Sequence, residues 1–286
     1  ESVMHREFRS LPYGCTKEEA LDLMRTVQLH QVPILNNEGQ VTDIYILDEL
    51  LQPATLPNRI VIMAGGEGRR LRPHTENCPK PMLPIAGRPM LEIILEKCAT
   101  DGLTEVYIAV HYLKEQIMDY FQDGGCLGLN IHYLQEKHPM GTAGALSLLP
   151  PGEHYPLLVI NGDVLTRVDL TRLLRFHEEC GDFATVCVRE YTSRVPYGVV
   201  QTEDQRVVSI QEKPVFTYHI NAGLYVLNSE IPAQMSPREY CNMTQLLENC
   251  INRGEQVSAF PIHEYWKDIG LHETHQQANL EWVEKM

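Results

Sequence analysis

Residues 62–92 read IMAGGEGRRLRPHTENCPKPMLPIAGRPMLE, and this stretch decides how the rest of the chain is interpreted. It begins inside an apolar run, RIVIMA at 59–64, which is typical of a buried strand. Gly65, Gly66 and Gly68 follow at once, and glycines let the backbone turn successive N–H groups toward an anion. No Gly-Lys-Ser/Thr ends the loop, so it is not a Walker A loop. The pattern predicts a phosphate-binding loop after a strand, with a tight turn as the alternative.

The same stretch concentrates positive charge on an acidic chain. The 286 residues carry a formal net charge of −14, which argues against a general nucleic-acid binder or a protein that binds anionic membranes. Pro79 and Pro81 restrict the backbone on both sides of Lys80, so less entropy is lost when that lysine is ordered against a phosphate. The cluster therefore indicates a site for an anionic ligand. Its cations are Arg69, Arg70, Arg72, Lys80 and Arg88.

From Arg59 onward, apolar strand patterns alternate with amphipathic helix patterns. Such alternation predicts an α/β fold with a mainly parallel sheet, helices on both faces and ligands at the carboxyl ends of the strands. Residues 197–227 are richer in strands and turns, so we expect antiparallel additions there. The predicted strands are 59–64, 104–110, 130–134, 155–163 and 183–188, and the predicted helices are 89–102, 113–121, 142–149 and 169–180.

The N-terminal residues predict a small α+β piece. Residues 17–29 have helical periodicity, and 32–35 and 40–47 read as two strands of a hairpin around the turn NNEG. A short helix should follow behind Asp48. Residues 52–58 contain two prolines and predict a linker. We therefore expect a first domain over 1–56 and a second over 57–286.

Cysteine usage and hydropathy limit the cellular setting. Eight scattered cysteines show no CxxC pair and no Cys/His spacing for zinc, so we expect reduced, mostly buried thiols in a cytoplasmic protein. No apolar run reaches membrane-spanning length and no secretory signal is visible. Because Glu1 lies within an apparent element, we also expect the chain to be a fragment of a longer protein.

Several ordered motifs together resemble the signature of the sugar-1-phosphate nucleotidyltransferases, and look most similar to the mannose-1-phosphate guanylyltransferases. The resemblance covers 59–286 and implies a Rossmann-like three-layer α/β/α domain with a mixed, mostly parallel sheet. It also implies attack of a sugar-1-phosphate on the α-phosphate of a nucleoside triphosphate, with Mg²⁺ as cofactor and pyrophosphate release. Besides the opening stretch, the motifs are EKHPMGTAGAL at 136–146, NGD at 161–163, EKP at 212–214, NAGLYVL at 221–227 and WKDIG at 266–270.

The resemblance implies a role for each matching residue. Arg70 would grip the triphosphate, Lys80 would reach the α-phosphate, and Lys213 would hold the phosphate of the sugar-1-phosphate. Asp163 and Asp268 would bind Mg²⁺, an ion that prefers oxygen ligands. Arg69 stands where the family has Thr or Ser, and an extra cation there is compatible with the chemistry. The implied catalytic residues are thus Arg70, Lys80, Asp163 and Lys213; the nucleotide-binding residues are Ala64, Gly65, Gly66, Gly68, Glu136, Gly141, Thr142 and Ala143; the sugar-phosphate-binding residues are Glu212, Lys213, Asn221 and Gly223.

Each motif also has a simpler structural interpretation. Asp163 and Asp268 are each compatible with a turn cap, Glu212 and Lys213 with a solvent-facing pair, and residues 221–223 with a strand entry. Residues 141–145 are compatible with a small-residue helix start. Joint appearance of all motifs in family order favours the functional interpretation.

The nucleotide is inferred from Glu136. An ionised carboxylate only accepts hydrogen bonds, which suits the N1–H and amino donors of guanine better than the edge of uracil or thymine. We therefore favour GTP and a hexose or aminohexose 1-phosphate, with UTP or dTTP as the alternative. Two further alternatives are a catalytically silent regulatory subunit that binds nucleotide-sugar and a binding module whose output is an interaction.

The N-terminal piece resembles one repeat of a CBS domain, on HQVPILNNEGQVTDIYILDELL at 30–51. Such repeats work in pairs and many sense adenine nucleotides. The resemblance implies a partner repeat elsewhere, and packing or homo-oligomerisation is the favoured role. No nucleic-acid or membrane partner is expected.

Overall fold

The computed structural model describes residues 8–50, 55–152 and 154–283. The chain divides into two compact units, Glu1–Thr55 and Leu56–Met286. Three residues of the predicted linker, 52–54, lie outside the described residues, as does residue 51 before it. The remaining part of that linker is shorter than expected, because Leu56 already donates its N–H to Gly102 at 2.8 Å and begins a strand.

The first unit is a three-stranded sheet with a helix, as its α+β pattern predicted. Helix α1 begins after Thr16, whose hydroxyl accepts from the N–H of Glu19 while the Glu19 carboxylate accepts from Thr16, a reciprocal capping box. Ala20 and Met24 on the helix and Val32 and Ile34 on the sheet are buried, so one face of each element forms the small core. The elements are β1 (Leu11–Pro12), α1 (Lys17–Val27), β2 (Gln31–Leu35), β3 (Val41–Ile46) and α2 (Leu47–Leu50), with sheet order β1-β2-β3.

The second unit contains the alternation that the sequence predicted. Its strands and helices in chain order are β4 (Leu56–Met63), β5 (Pro84–Ile85), β6 (Arg88–Pro89), α3 (Met90–Thr100), β7 (Leu103–Val110), α4 (Lys114–Phe121), β8 (Asn130–Gln135), β9 (Leu157–Asn161), β10 (Val164–Thr166), α5 (Leu170–Cys180), β11 (Ala184–Arg194), β12 (Val199–Glu203), β13 (Arg206–Gln211), β14 (Val215–Leu227), α6 (Ile231–Gln234), α7 (Met243–Asn252), β15 (Val257–Pro261), β16 (Trp266–Asp268) and α8 (His272–Val283).

A seven-stranded sheet in the order β15-β11-β14-β9-β4-β7-β8 forms the centre of this unit. Strands β9, β4, β7 and β8 run parallel to one another, and β15 is parallel to β11. Strand β14 is antiparallel to both β9 and β11. The mixed, mostly parallel sheet is therefore confirmed, with its antiparallel strand in the region where we expected one.

Two apolar cores cover the two faces of the sheet. Side chains of β4 alternate between them: Ile60 and Ile62 pack in one core, Val61 in the other. The first core includes buried residues of α3, α4, α5 and α8, whereas the second includes residues of α6 and α7. Helices therefore cover both faces, which is the three-layer arrangement.

Residues 142–149 do not form the α-helix that we predicted. The N–H groups of Ala143 and Gly144 both donate to the carbonyl of Cys241, at 2.9 and 3.1 Å, and the N–H groups of Leu146 and Leu149 donate to carbonyls three residues back instead of four. Gly144–Leu148 forms a 3₁₀ turn instead. Pro150 and Pro151 then follow, where a longer helix would have to continue.

The cysteine prediction is confirmed in part. All eight cysteines are free, and Cys98, Cys187 and Cys250 are buried, but Cys126 and Cys180 are exposed. Burial raises the pKa of Cys98 to about 12, so its thiol stays protonated. None of the helices in the described parts of the chain combines the length and apolar character that a membrane span requires.

Candidate active site

A cavity of about 430 Å³ lies at the carboxyl ends of the parallel strands. Residues that follow β4, β8 and β9 line it, which is where open α/β sheets bind ligands. Ten of the sequence-predicted site residues line this cavity together. They are Ala64, Gly65, Gly66, Gly68, Arg70, Lys80, Glu136, Gly141, Thr142 and Asp163.

The glycine loop, residues 65–68, folds directly over Lys80. Gly68 has a φ of +62°, and a Cβ there would lie 2.9 Å from the Cβ of Lys80 and 3.0 Å from Cγ2 of Thr75. The Thr75 hydroxyl donates to the Gly68 carbonyl at 2.9 Å and fixes the loop end. A Cβ at Gly66 would meet nothing within 4 Å, so its backbone faces open space. Close approach to Lys80 and access for a ligand therefore both depend on glycine.

Arg69 forms an ion pair with Glu67, a residue of its own loop. Its Nε and Nη2 donate to the two carboxylate oxygens of Glu67 at 2.6 and 3.1 Å, and three quarters of its side chain is exposed. Hydrogen bonding to this guanidinium lowers the pKa of Glu67. Arg70 faces inward instead, because a Cβ at Gly270 would lie 3.1 Å from its Nη2. The neighbouring arginines thus differ in their contacts: Arg69 pairs with Glu67, whereas Arg70 lies beside Gly270, and both line the cavity.

Lys80 and Asp163 form an ion pair inside the cavity. Lys80 is buried, with 9% of its surface exposed, and Pro79 and Pro81 hold it at the start of a 3₁₀ turn. Asp163 follows β9 and is held from behind, because its carbonyl accepts the N–H of Ile269 at 2.9 Å. The backbones that carry the two charged side chains are therefore both held in place.

Asp268, which lies in β16, is close to Asp163 and Lys80. Strand β16 pairs antiparallel with β10, which sets Asp268 opposite Val164. The Trp266 ring N–H donates to the Ala222 carbonyl at 2.7 Å and holds this strand against β14. Burial raises the pKa of Asp268, the nearby Asp163 carboxylate raises it further, and Lys80 and Arg70 oppose the increase.

These two carboxylates fit a magnesium ion. Two close carboxylates that disfavour joint ionisation are stabilised by a cation between them, and Mg²⁺ prefers such oxygen ligands. Across the described residues, no group of three or more His, Cys, Asp or Glu could enclose a metal. A bound Mg²⁺ would therefore take its remaining ligands from water and substrate phosphate, as that ion does in phosphoryl-transfer sites.

Glu136 lines the cavity beside the glycine loop. Only 8% of its surface is exposed. One carboxylate oxygen, Oε2, accepts the N–H of Met140 at 3.0 Å, and the other, Oε1, would lie 3.1 Å from a Cβ at Gly65. Burial raises the pKa of Glu136, with the Met140 N–H, His111 and His138 opposing the shift. The cavity lining thus includes a desolvated carboxylate whose Oε1 lies beside the glycine loop.

Residues 141–143 form the adjoining wall. Gly141 has a φ of +79°, and a Cβ there would lie 2.5 Å from the Cys241 carbonyl oxygen. The Thr142 hydroxyl accepts the N–H of Met243 at 2.8 Å. Ala143 is fully buried behind this wall and does not line the cavity.

The predicted sugar-phosphate residues do not line the cavity. Glu212 and Lys213 are exposed in the turn between β13 and β14, where Lys213 has a φ of +46°. Asn221 accepts the N–H of Gly223 at 2.9 Å, and a Cβ at Gly223 would lie 2.8 Å from Nδ2 of Asn161. Gly223 is thus one side chain away from the cavity, since Asn161 lines it. Their role in substrate binding stays a prediction.

Sequence reasoning missed several lining residues. Tyr240 and Asn242 come from the segment between α6 and α7, which carries no motif, and only the cross-contacts of Cys241 bring it to the cavity. Asn161 was inside the quoted NGD motif without an assigned role. Its buried Oδ1 has no hydrogen-bond partner in the described parts of the chain.

Comparison with known proteins agrees with this geometry. The family model described as nucleotidyl transferase matches residues 59–285. The mannose-1-phosphate guanylyltransferase of Mycobacterium tuberculosis is 33% identical over 229 residues, covering 78% of this chain and 64% of the relative. The UTP–glucose-1-phosphate uridylyltransferase of Synechocystis is 31% identical over 240 residues, covering 77% of this chain and 62% of the relative. The chain therefore spans just under two thirds of each of these curated relatives.

A solved structure shares the fold. The crystal structure of HddC from Yersinia pseudotuberculosis, complexed with GMP-PN, superposes with a TM-score of 0.62 at 25% identity. The match covers 79% of this chain and 99% of that protein. These matches concern the second unit; the CBS-like interpretation of the first unit stays a prediction.

Proposed function

The chain belongs to the nucleotidyl transferase family, and on that premise we propose that it transfers a nucleotidyl group from a nucleoside triphosphate to a sugar-1-phosphate. The products would be an NDP-sugar and pyrophosphate. The observation that carries this proposal is the meeting of the glycine loop, Arg70, Lys80 and Asp163 around one cavity of about 430 Å³. That volume suits a nucleotide-sized ligand.

Charge placement explains how these residues would promote the transfer. Phosphoryl-type transfer needs alignment and neutralisation of charge more than covalent help from the protein. Backbone N–H groups of the glycine loop would orient the phosphates, and Arg70 would stabilise charge on the departing pyrophosphate. Lys80 would hold the α-phosphate where the sugar phosphate oxygen attacks. Lys213 would hold the phosphate of the sugar substrate, which requires the β13–β14 turn to approach the cavity.

Magnesium is part of the proposal. Asp163 and Asp268 would hold it, and when bound it would neutralise charge on the reacting phosphate. Asp268 lies in β16 and Asp163 directly precedes β10, so the pairing of β10 with β16 sets the two aspartates close together.

We propose GTP as the nucleotide. Glu136 lines the cavity, its Oε2 accepts the N–H of Met140, and Oε1 has no hydrogen-bond partner among the described residues, so one acceptor is available to the N1–H or amino group of guanine. The guanylyltransferase named above supports this choice, whereas the uridylyltransferase relative makes UTP the rival. A hexose or aminohexose 1-phosphate is the proposed acceptor, and cytoplasmic synthesis of a glycan precursor is the proposed setting.

A substrate matrix tests the proposal. Purified protein with Mg²⁺ would be assayed with GTP, UTP, dTTP, ATP and CTP against mannose-, glucose- and glucosamine-1-phosphate, by pyrophosphate release. We expect release with GTP and at least one of the sugar phosphates. Release only with UTP or dTTP would contradict the choice of nucleotide, and no release with any pair would contradict the activity.

A further inference from the structure

The Lys80–Asp163 ion pair occupies the position that the proposed metal site requires. Lys80 is the nearest fixed cation to Asp163, and both side chains are shielded, with 11% and 26% of their surface exposed. A lysine ammonium and a divalent cation repel each other and cannot both take the same carboxylate oxygen. In the structure it is Lys80 that neutralises Asp163.

The pair can open without moving the backbone. The Lys80 main chain is fixed by Pro79, Pro81 and the close contact with Gly68, but its four-carbon stem leaves the ammonium free to swing. Lys80 also lines the cavity in which the triphosphate would lie, so a second anion becomes available to it when nucleotide binds. The Asp163 carboxylate has a much shorter reach, because its side chain is short and its backbone carbonyl is held by the N–H of Ile269.

We propose that Lys80 acts as a place-holder for the metal in the nucleotide-free protein, and that the triphosphate must draw Lys80 away from Asp163 before Mg²⁺ can bind there. This inference rests on the proposed function for the identity of the anion. It makes metal and nucleotide binding mutually supportive, because each removes an obstacle to the other. It also means that the free protein binds divalent cations weakly although both aspartates are in position.

The first test measures metal binding without nucleotide. Mn²⁺, a paramagnetic substitute for Mg²⁺, would be titrated into wild type and Lys80→Gln and followed by EPR of the free ion. We expect Lys80→Gln to bind Mn²⁺ about tenfold more tightly than wild type, within the range of linked binding events. Lys97→Gln is the matched control, since Lys97 is also ion-paired with an aspartate, Asp101, but does not line the cavity. Equal or weaker binding by Lys80→Gln would overturn the proposal.

The second test removes the partner instead of the lysine. In EDTA, Asp163→Asn removes the ion-pair partner of Lys80. Metal-free GTP should therefore bind this variant more tightly than it binds wild type, as measured by calorimetry. Asp268→Asn removes the same charge without freeing Lys80, and it should give the smaller gain. Equal gains in the two variants would show that only repulsion was relieved and would refute the place-holder role. Melting curves with and without Mn²⁺ provide a readout independent of turnover, and Mn²⁺ should raise the Tm of Lys80→Gln more than that of wild type.

The outcome is separable from that of the proposed function. Mn²⁺ binding needs neither substrate nor turnover, so the first test decides the place-holder role even if no nucleotide is a substrate. Conversely, activity with GTP in the substrate matrix would stand if Lys80→Gln bound Mn²⁺ no better than wild type.

Discussion

Replacing Glu136 by glutamine separates two roles of this cavity-lining side chain, because one oxygen binds Met140 and the other is the proposed acceptor for guanine. Oε2 accepts the Met140 N–H at 3.0 Å, and the glutamine carbonyl oxygen can take over that bond. What glutamine cannot supply is a second acceptor, since its other group is an NH₂ donor. The substitution should therefore leave the wall in place and remove the hydrogen bond from guanine.

The expected loss follows from one charged hydrogen bond in a desolvated site. Such bonds contribute about 1.5–3 kcal/mol. With about 1.4 kcal/mol per factor of ten, kcat/KM for GTP should fall about 10- to 150-fold in Glu136→Gln. The value for UTP should fall less or rise, because an amide can donate to and accept from the uracil edge.

The pH profile gives a second, independent readout. Burial raises the pKa of Glu136, so protonation begins at a higher pH than for an exposed glutamate. As pH falls through this raised pKa, wild type should lose kcat/KM for GTP, whereas Glu136→Gln should not show that decline. Folding has the opposite dependence: the ionised buried carboxylate costs stability at neutral pH, and protonation relieves that cost. The Tm of the variant at neutral pH should therefore equal or exceed that of wild type.

Steady-state pyrophosphate release from pH 5 to 8 measures kcat/KM for GTP and UTP, and melting curves measure the Tm of wild type and Glu136→Gln. A GTP kcat/KM within twofold of wild type would refute the assignment of Glu136 to the base. A large drop in Tm would show instead that the carboxylate is needed to hold Met140, and the kinetic loss would then have another cause.

Three further perturbations test other parts of the site. Asp163→Asn and Asp268→Asn should each lower Mg²⁺-dependent turnover by at least about a hundredfold, as expected for loss of a metal ligand, with circular dichroism unchanged; full activity in either would contradict the metal assignment. Gly141→Ala should destabilise the protein by about 1–3 kcal/mol or more, because a Cβ would lie 2.5 Å from the Cys241 carbonyl oxygen at a φ of +79°. Urea unfolding measures this loss of stability. An unchanged unfolding midpoint would mean that the backbone around Gly141 accommodates the Cβ without cost. Lys213→Ala should raise KM for the sugar-1-phosphate about tenfold or more while leaving KM for the nucleotide near wild type; equal effects on both would place Lys213 outside the sugar-phosphate site.

Local sequence was enough to determine the loop and the sheet. Strands and helices that alternate along the chain bury their apolar faces when helices pack on both sides of a sheet, so the layer architecture follows from the pattern. Gly68 was predicted from the glycine pattern after an apolar strand, and the structure gives the reason, since a positive φ and contact with Lys80 leave no room for a Cβ. The prolines around Lys80 likewise act on their own neighbours, and such effects can be read without tertiary information.

Contacts between distant segments could not be read in this way. Residues 142–149 have a helical pattern, yet the segment forms a 3₁₀ turn whose start is bonded to the distant Cys241 carbonyl, and the sequence around residue 144 does not indicate that contact. The same cross-contact brings Tyr240 and Asn242 to the cavity wall. Arg69 looked like a departure from the family pattern, and only the structure pairs it with Glu67.

The sequence by itself determined which groups this protein brings to its chemistry: a glycine loop, an arginine, a rigid lysine and two aspartates. Tertiary structure decided how they meet. Pairing of β10 with β16 brings Asp268 to Asp163, and burial places the Lys80 ammonium on the Asp163 carboxylate. Residue types and their spacing determine which functional groups are present because they act locally. Ion pairing and desolvation depend instead on distances that exist only after the chain has folded.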